Sequence, residues 1–335
     1  MNDKSTKLPW DEPGWLDQAV EWITAQLASH GWHTAGPVET VHKRVWSVFM
    51  RVPTDKGTAY FKAPAPPFYE APLTQALAHL RPDCTVPLLG VDLGRGWLLS
   101  ADAGSTLRSV GQTPDQVDHW LKALPLYADL QIEMADHVDE LLSFGTPDRR
   151  LFILPGLYSQ LMEETDSLRI GLELGLTPKD YRSLLDLRPR FAELCGELDS
   201  FGLPASLAHE EIHENNVLFN GARYVFTDWS DSSVAHPFFT MIVTLRATSY
   251  WLKLDEFGPE MMRMRDAYLE PWTKFATRKR LLSAFKLAYR LGMANRALSW
   301  NEALRSLTEE QVEPYKDSVP GWLQDFLNAE MPQKD

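Results

Sequence analysis

A chain of 335 residues with 44% apolar and 11% aromatic side chains can bury a full core and is long enough for two domains. Its formal net charge of −13 argues against a nucleic-acid backbone or an anionic membrane surface as the main partner. Cys84 and Cys195 form neither a metal-ligand spacing nor a disulfide framework. The opening MNDKSTKLPWDEP has no apolar signal core and no run approaches membrane-span length, so a cytoplasmic protein is expected.

In chain order, Trp15, Leu16, Ala19, Val20, Ile23 and Leu27 recur at helical spacing and stop at Gly31, which predicts an amphipathic helix over 14–30. Segments 38–41, 46–53 and 59–63 read as three antiparallel strands, the last two joined at Asp55-Lys56-Gly57. Lys62 sits near the end of the third. A helix follows in FYEAPLTQALAHL, where Pro72 fits the first turn and leaves Glu70 at the mouth. Residues 38–52 contain no glycine, so a Gly-rich phosphate loop is absent. Segments 86–91 and 97–100 form a further hairpin, after which Gly104 permits a turn.

From Thr113 to about Pro204 the pattern is helical. Pro125 is expected to break or kink it, Pro155-Gly156 to break it again before a helix over 157–164, and a helix over 184–198 to lead onward. Beyond residue 229, the spacing predicts a buried helix from 238 and further helices around 258–277, 278–295 and 300–312.

The stretch His209–Trp229 carries the densest chemistry. His209, Glu210, Glu211, His213 and Asn216 fall within eight residues, and Asn220-Gly221 separates two β-rich runs that end at Asp228. A hairpin there puts the residues before 217 and Asp228 at one open end. Two patterns fit. His209-Glu210-Glu211-Ile212-His213 matches H-E-x-x-H, a zinc-hydrolase motif that needs both histidines one turn apart on a helix. Alternatively, Asn216 and Asp228 are suitable hard-oxygen Mg²⁺ ligands, and a carboxylate at 211 can orient an attacking hydroxyl and take its proton. Asp231 is a further candidate ligand.

The longer pattern, H-x-[acid]-x-H-x-x-N-V-L, a hairpin and then D-W, resembles the catalytic segment of the aminoglycoside phosphotransferase family, small-molecule kinases with a protein-kinase-like fold. His209, His213, Asn216, Val217, Leu218, Asp228 and Trp229 agree with it, while Glu211 stands where that family has its catalytic Asp. The resemblance implies an α+β, two-lobed fold: an antiparallel β N-lobe over 1–102 and a mostly helical C-lobe over 103–335. It implies ATP and Mg²⁺ as cofactors and phosphorylation of a hydroxyl on a small-molecule acceptor. Lys62 would hold the phosphates and Glu70 would pair with it. Backbone at Ser100, Ala101 and Asp102 would bond the adenine, Asn216 and Asp228 would hold the metal, and Glu211 would act as base. The exchange of Asp for Glu moves the carboxylate by roughly 1 Å, a displacement that can cost about 10²-fold in rate. A catalytically weak nucleotide-binding member, or one that transfers a nucleotidyl group, is therefore an alternative.

Overall fold

The protein is described by a computed structural model over residues 8–113 and 115–329. Its chain divides into two compact units. The first comprises Met1–Ser109, Ser143–Thr146 and Asn215–Ser230, and the second Val110–Leu142, Pro147–Glu214 and Asp231–Asp335. The stretch 215–230 thus joins the first unit although it is remote from 1–102 in sequence. The reason is strand pairing: Val217–Phe219 pairs with both Ser105–Thr106 and Tyr224–Phe226, and the Phe226 amide donates to the Cys84 carbonyl at 2.9 Å. Gly104 permits the close approach. Its φ is +118°, and a Cβ there would fall 2.5 Å from the Phe219 carbonyl oxygen.

The first unit starts with α1 (Trp15–Ser29), whose Trp15, Ala19, Ile23 and Leu27 recur every fourth residue and are buried. Strands β1 (Glu39–Lys43), β2 (Ser47–Thr54) and β3 (Gly57–Pro64), helix α2 (Glu70–Leu80), and strands β4 (Leu88–Asp92) and β5 (Trp97–Ala101) follow. The five strands make one antiparallel sheet in the order β1-β2-β3-β5-β4. One sheet face sets Met50, Ala59, Phe61 and Leu99 against α1, with Trp15 and Trp97 ring centroids 6.0 Å apart. Alternation along β3 sends Lys62 to the opposite face, and β3 is central rather than an edge.

Among the described residues, the second unit is helical apart from a two-stranded sheet of Ser206–His209 with Ser232–Ala235. Its longest helix, Arg278–Leu304, is continuous for 27 residues, so the expected break near 296–299 is not there. No helix breaker occupies that stretch, and Gly292 packs closely against Ile242 instead of ending the helix. Helix Asp115–Met134 likewise runs through Pro125. Ala123, Leu124, Tyr127 and Ala128 are fully buried around it, and that packing outweighs one lost backbone hydrogen bond. Pro155 starts the helix Leu154–Leu161 rather than breaking the chain, as suits a proline in a first turn. The expected helix over 184–198 is two, Pro178–Asp186 and Arg188–Asp199. Helix Ser318–Asn328, which buries Val319, Leu323 and Phe326, was not anticipated. Among the described residues, no helix is long and apolar enough to cross a membrane.

Candidate active site

In the first unit, strand β3 and the N-terminus of α2 bring Lys62 to Glu70, and the hairpin 217–226 delivers Asp228 to both. Lys62 Nζ lies 2.6 Å from Glu70 Oε1 and 2.5 Å from Asp228 Oδ1. Glu70 occupies the first residue of α2, with Pro72 in the first turn, and it is 2% exposed. Its Oε1 also accepts from the Trp229 amide at 3.1 Å. Asp228 has φ +67°, a left-handed conformation that Asp tolerates better than most residues. Its Oδ1 accepts from Ser230 Oγ at 2.9 Å, and Tyr69 Oη donates to the Ser230 carbonyl. Asn216 stands at the same open end of the hairpin, because the Thr227 amide donates to its carbonyl at 3.1 Å.

One ammonium therefore serves two carboxylates. Burial disfavours the charge on Lys62, but Asp228 and Glu70 together overcome it and hold the lysine protonated well beyond its ordinary range. Glu70 moves the other way from a simple ion-paired acid. Burial raises its pKa, Asp228 adds to the rise, and the shared lysine only partly offsets them. The cluster is short of positive charge.

The Lys62 face of the sheet also carries a ladder of rings. His42 stacks on Phe49 and Phe49 on Tyr60, each with centroids 5.4 Å apart. His42 and Phe49 belong to the β1–β2 hairpin that lacks glycine, and Tyr60 to β3. At the end of β5, the Ala101 amide donates to the Pro87 carbonyl at 2.8 Å and the Asp102 amide to the Thr58 carbonyl at 3.0 Å. Two amides of the stretch expected to bond an adenine are thus committed inside the sheet, where Ser100 pairs with Tyr60 and Leu88.

The second unit holds the remaining acids. Residues 206–209 are a strand and 210–211 a turn, so the helix that H-E-x-x-H zinc binding requires is missing. The Glu211 amide donates to His209 Nδ1 at 3.1 Å, and His209 is fully buried as a loop brace. Glu210 is buried against Arg149, whose Nη1 lies 3.0 Å from Oε1. Ser233 Oγ donates to the same oxygen at 2.5 Å, and Ser299 Oγ donates to Oε2. Arg149 Nη2 reaches Glu302 Oε2 at 2.8 Å.

Glu211 itself is held by two partners. Arg296 from helix Arg278–Leu304 pairs with its Oε1, and His213 Nε2 lies 3.1 Å from Oε2. Arg296 is 4% exposed and also approaches Asp231 Oδ1 at 3.5 Å. Arg149 and Arg296 were not legible as site residues. Nothing in their local sequence distinguishes them from other helix or loop arginines, and only the packing of that helix brings Arg296 to the loop. The loop of the 217–226 hairpin is also longer than a two-residue Asn-Gly turn. Phe219 pairs with Tyr224, and Asn220 Oδ1 accepts from the amides of Ala222 and Arg223 at 3.1 and 3.0 Å.

No protein-family profile matches this sequence, and no curated protein matches it. Solved structures do match its fold. The chain has the α+β, protein-kinase-like fold of small-molecule phosphotransferases. A choline/ethanolamine kinase family protein from Mesorhizobium loti superposes with a TM-score of 0.61 at 14% identity, over 94% of this chain and 95% of that one. A type I macrolide 2'-phosphotransferase gives 0.54 at 16% identity, over 93% and 98%. An amicoumacin kinase in complex with AMP-PNP and Ca²⁺ gives 0.53 at 11% identity, over 93% and 96%.

Proposed function

We propose that the protein is an ATP- and Mg²⁺-dependent phosphotransferase that acts on a hydroxyl of a small molecule. The Lys62–Glu70–Asp228 cluster, in a chain of this fold, carries the reading. The cluster suits a divalent ion: it carries two carboxylates for one ammonium, and Asp228 with the side-chain oxygen of Asn216 offers the hard oxygen ligands that Mg²⁺ prefers. When bound, Mg²⁺ supplies charge neutralisation to the phosphates. Lys62 binds phosphate oxygens, and Glu70 fixes the lysine from the first turn of α2. Ser100, Ala101 and Asp102 flank the adenine. Because two of their amides are held in the sheet, contact falls to their carbonyls and to neighbouring amides. Glu211 orients the acceptor hydroxyl and takes its proton. The amicoumacin kinase, which has this fold, is seen with a nucleotide analogue and a divalent cation.

One observation favours a second reading, a nucleotide-binding protein with little turnover. Both Glu211 oxygens are already engaged, one by Arg296 and one by His213. Each oxygen keeps a second lone pair, but the two partners fix where the carboxylate can reach.

ADP release from Mg-ATP with a panel of hydroxylated small molecules, in wild type and Glu211→Ala, tests both. Acceptor-dependent release that falls by about 10²-fold or more in the variant is expected. Nucleotide binding without turnover on any acceptor supports the second reading. Undiminished activity in Glu211→Ala removes Glu211 as base, and pyrophosphate in place of ADP marks nucleotidyl transfer.

A further inference from the structure

The β1–β2 hairpin has no part in the reading above, and its register places a further cation beside the Lys62 cluster. Lys43 pairs with Val48 and His42 with Phe49, and the Arg44 amide donates to the Ser47 carbonyl at 2.8 Å. Arg44 therefore continues β1 by one residue. Alternation sets it on the face of His42, and the pairing of Phe49 with Lys62 makes that the Lys62 face. At about 4.8 Å between strands and 3.3 Å per residue, the Cα atoms of Arg44 and Lys62 stand roughly 12 Å apart. Two long side chains span that gap with a phosphate chain between them.

The cations of this hairpin are not equivalent. Lys43 Nζ lies 2.7 Å from Asp11 Oδ1, and Arg51 Nη1 lies 3.1 Å from Glu39 Oε2. Arg44 is exposed, and its guanidinium has no ion-pair or hydrogen-bond partner among the described residues. It nevertheless acts on the site. Partial burial lowers the pKa of His42, Asp228 opposes the fall, and Arg44 and Lys62 add to it. One imidazole thus feels Arg44, Lys62 and Asp228 together.

A loop that cradles phosphate with backbone amides uses glycines for close approach. Residues 38–52 have none, and the stacked rings of His42, Phe49 and Tyr60 cover this face. A phosphate arriving here meets side chains first. Lys62 already serves Glu70 and Asp228, so further positive charge comes from another residue. A guanidinium presents a fork of donors that fits phosphate oxygens.

We propose that Arg44 clamps the terminal phosphate of the nucleotide, a side chain taking the place of a glycine-rich loop. This rests on the reading that the first unit binds a nucleoside triphosphate. Strand register gives the order of contacts. The adenine stretch aligns with β3 at Ala59, through Ala101. Lys62 comes three residues further along β3, and Arg44 further still, because its partner Ser47 aligns with Pro64. Base, Lys62 and Arg44 therefore follow one another in the direction in which a triphosphate extends.

Calorimetric titration of the full chain with AMP-PNP, AMP and tripolyphosphate, each with Mg²⁺, tests the clamp without turnover. Arg44→Ala is expected to weaken AMP-PNP and tripolyphosphate by about tenfold or more, the loss of a charge-assisted contact, and to leave AMP unchanged. Arg44→Lys is expected to fall between, since it keeps the charge and loses the fork. AMP-PNP binding unchanged in Arg44→Ala, or AMP weakened as much as AMP-PNP, overturns the proposal and leaves the nucleotide reading standing. Tripolyphosphate held through Arg44 as tightly as AMP-PNP, with no binding of AMP, keeps the clamp and overturns the nucleotide reading. Absence of binding by both AMP-PNP and tripolyphosphate in wild type overturns both.

Discussion

In the first unit, one lysine is shared by two carboxylates; in the second, two arginines each take one of two adjacent glutamates. Lys62, Glu70 and Asp228 come from a strand, the first turn of a helix and the end of a hairpin. Glu210 and Glu211 are consecutive, yet Glu210 turns to Arg149 and Ser299, while Glu211 turns to Arg296. The first arrangement sets two carboxylates on one ammonium, where the proposed reading places a metal ion. The second gives each loop glutamate its own buried arginine, although Arg149 also meets Glu302 and Arg296 also approaches Asp231, which favours a rigid loop over a free carboxylate. On the proposed reading, buried charge serves ligand binding in one place and loop anchoring in the other.

The largest expected effect breaks the first cluster. Lys62→Met removes the ammonium from the buried Glu70 beside Asp228, and unfolding in urea is expected to show a loss of about 3–5 kcal/mol. Lys62→Met with Glu70→Leu is expected to recover most of it, since an apolar pair replaces a buried ion pair at little cost. Asp228 is 45% exposed and adds little, because solvent screens it. A Lys62→Met loss typical of surface pairs would mean that the two clusters do not differ in the way described.

A smaller effect is expected in the second unit. Glu210→Ala strips Arg149 of its buried partner but leaves the half-exposed Glu302, so a loss of about 2–3 kcal/mol is expected in the same assay. The parent loop geometry should be lost with it, and any turnover should fall alongside stability. Turnover unchanged in a folded Glu210→Ala would show that the anchor is not needed for the loop's chemistry.

The mildest effect is one of pH. Glu70 has its folded pKa raised above 4.5, chiefly by burial. The folded state therefore keeps a proton that the unfolded state has lost. Stability is highest below the unfolded pKa and falls as pH rises through the folded one. Glu70→Gln is expected to flatten that slope in unfolding experiments taken upward from pH 4.5. A slope identical to wild type would place the unbalanced charge elsewhere.

Much of this was legible in one dimension. The every-fourth-residue burial of Trp15, Ala19, Ile23 and Leu27, the strand alternation around Lys62 and the residues from His209 to Trp229 follow local periodicity and short-range turn chemistry, which sequence records directly. Pairing of Lys62 with Glu70 was readable only through the family resemblance, and the structure brings the two together. Tertiary structure alone decided that helix Asp115–Met134 passes through Pro125, that Arg278–Leu304 is one helix, and that 215–230 belongs with the first unit. It alone decided that Glu211 is met by Arg296 and that Ala101 and Asp102 give their amides to the sheet. Propensity and spacing act over a few residues. Charge pairing and burial act through space, and they settle which arginine, of many alike in sequence, reaches a carboxylate far along the chain.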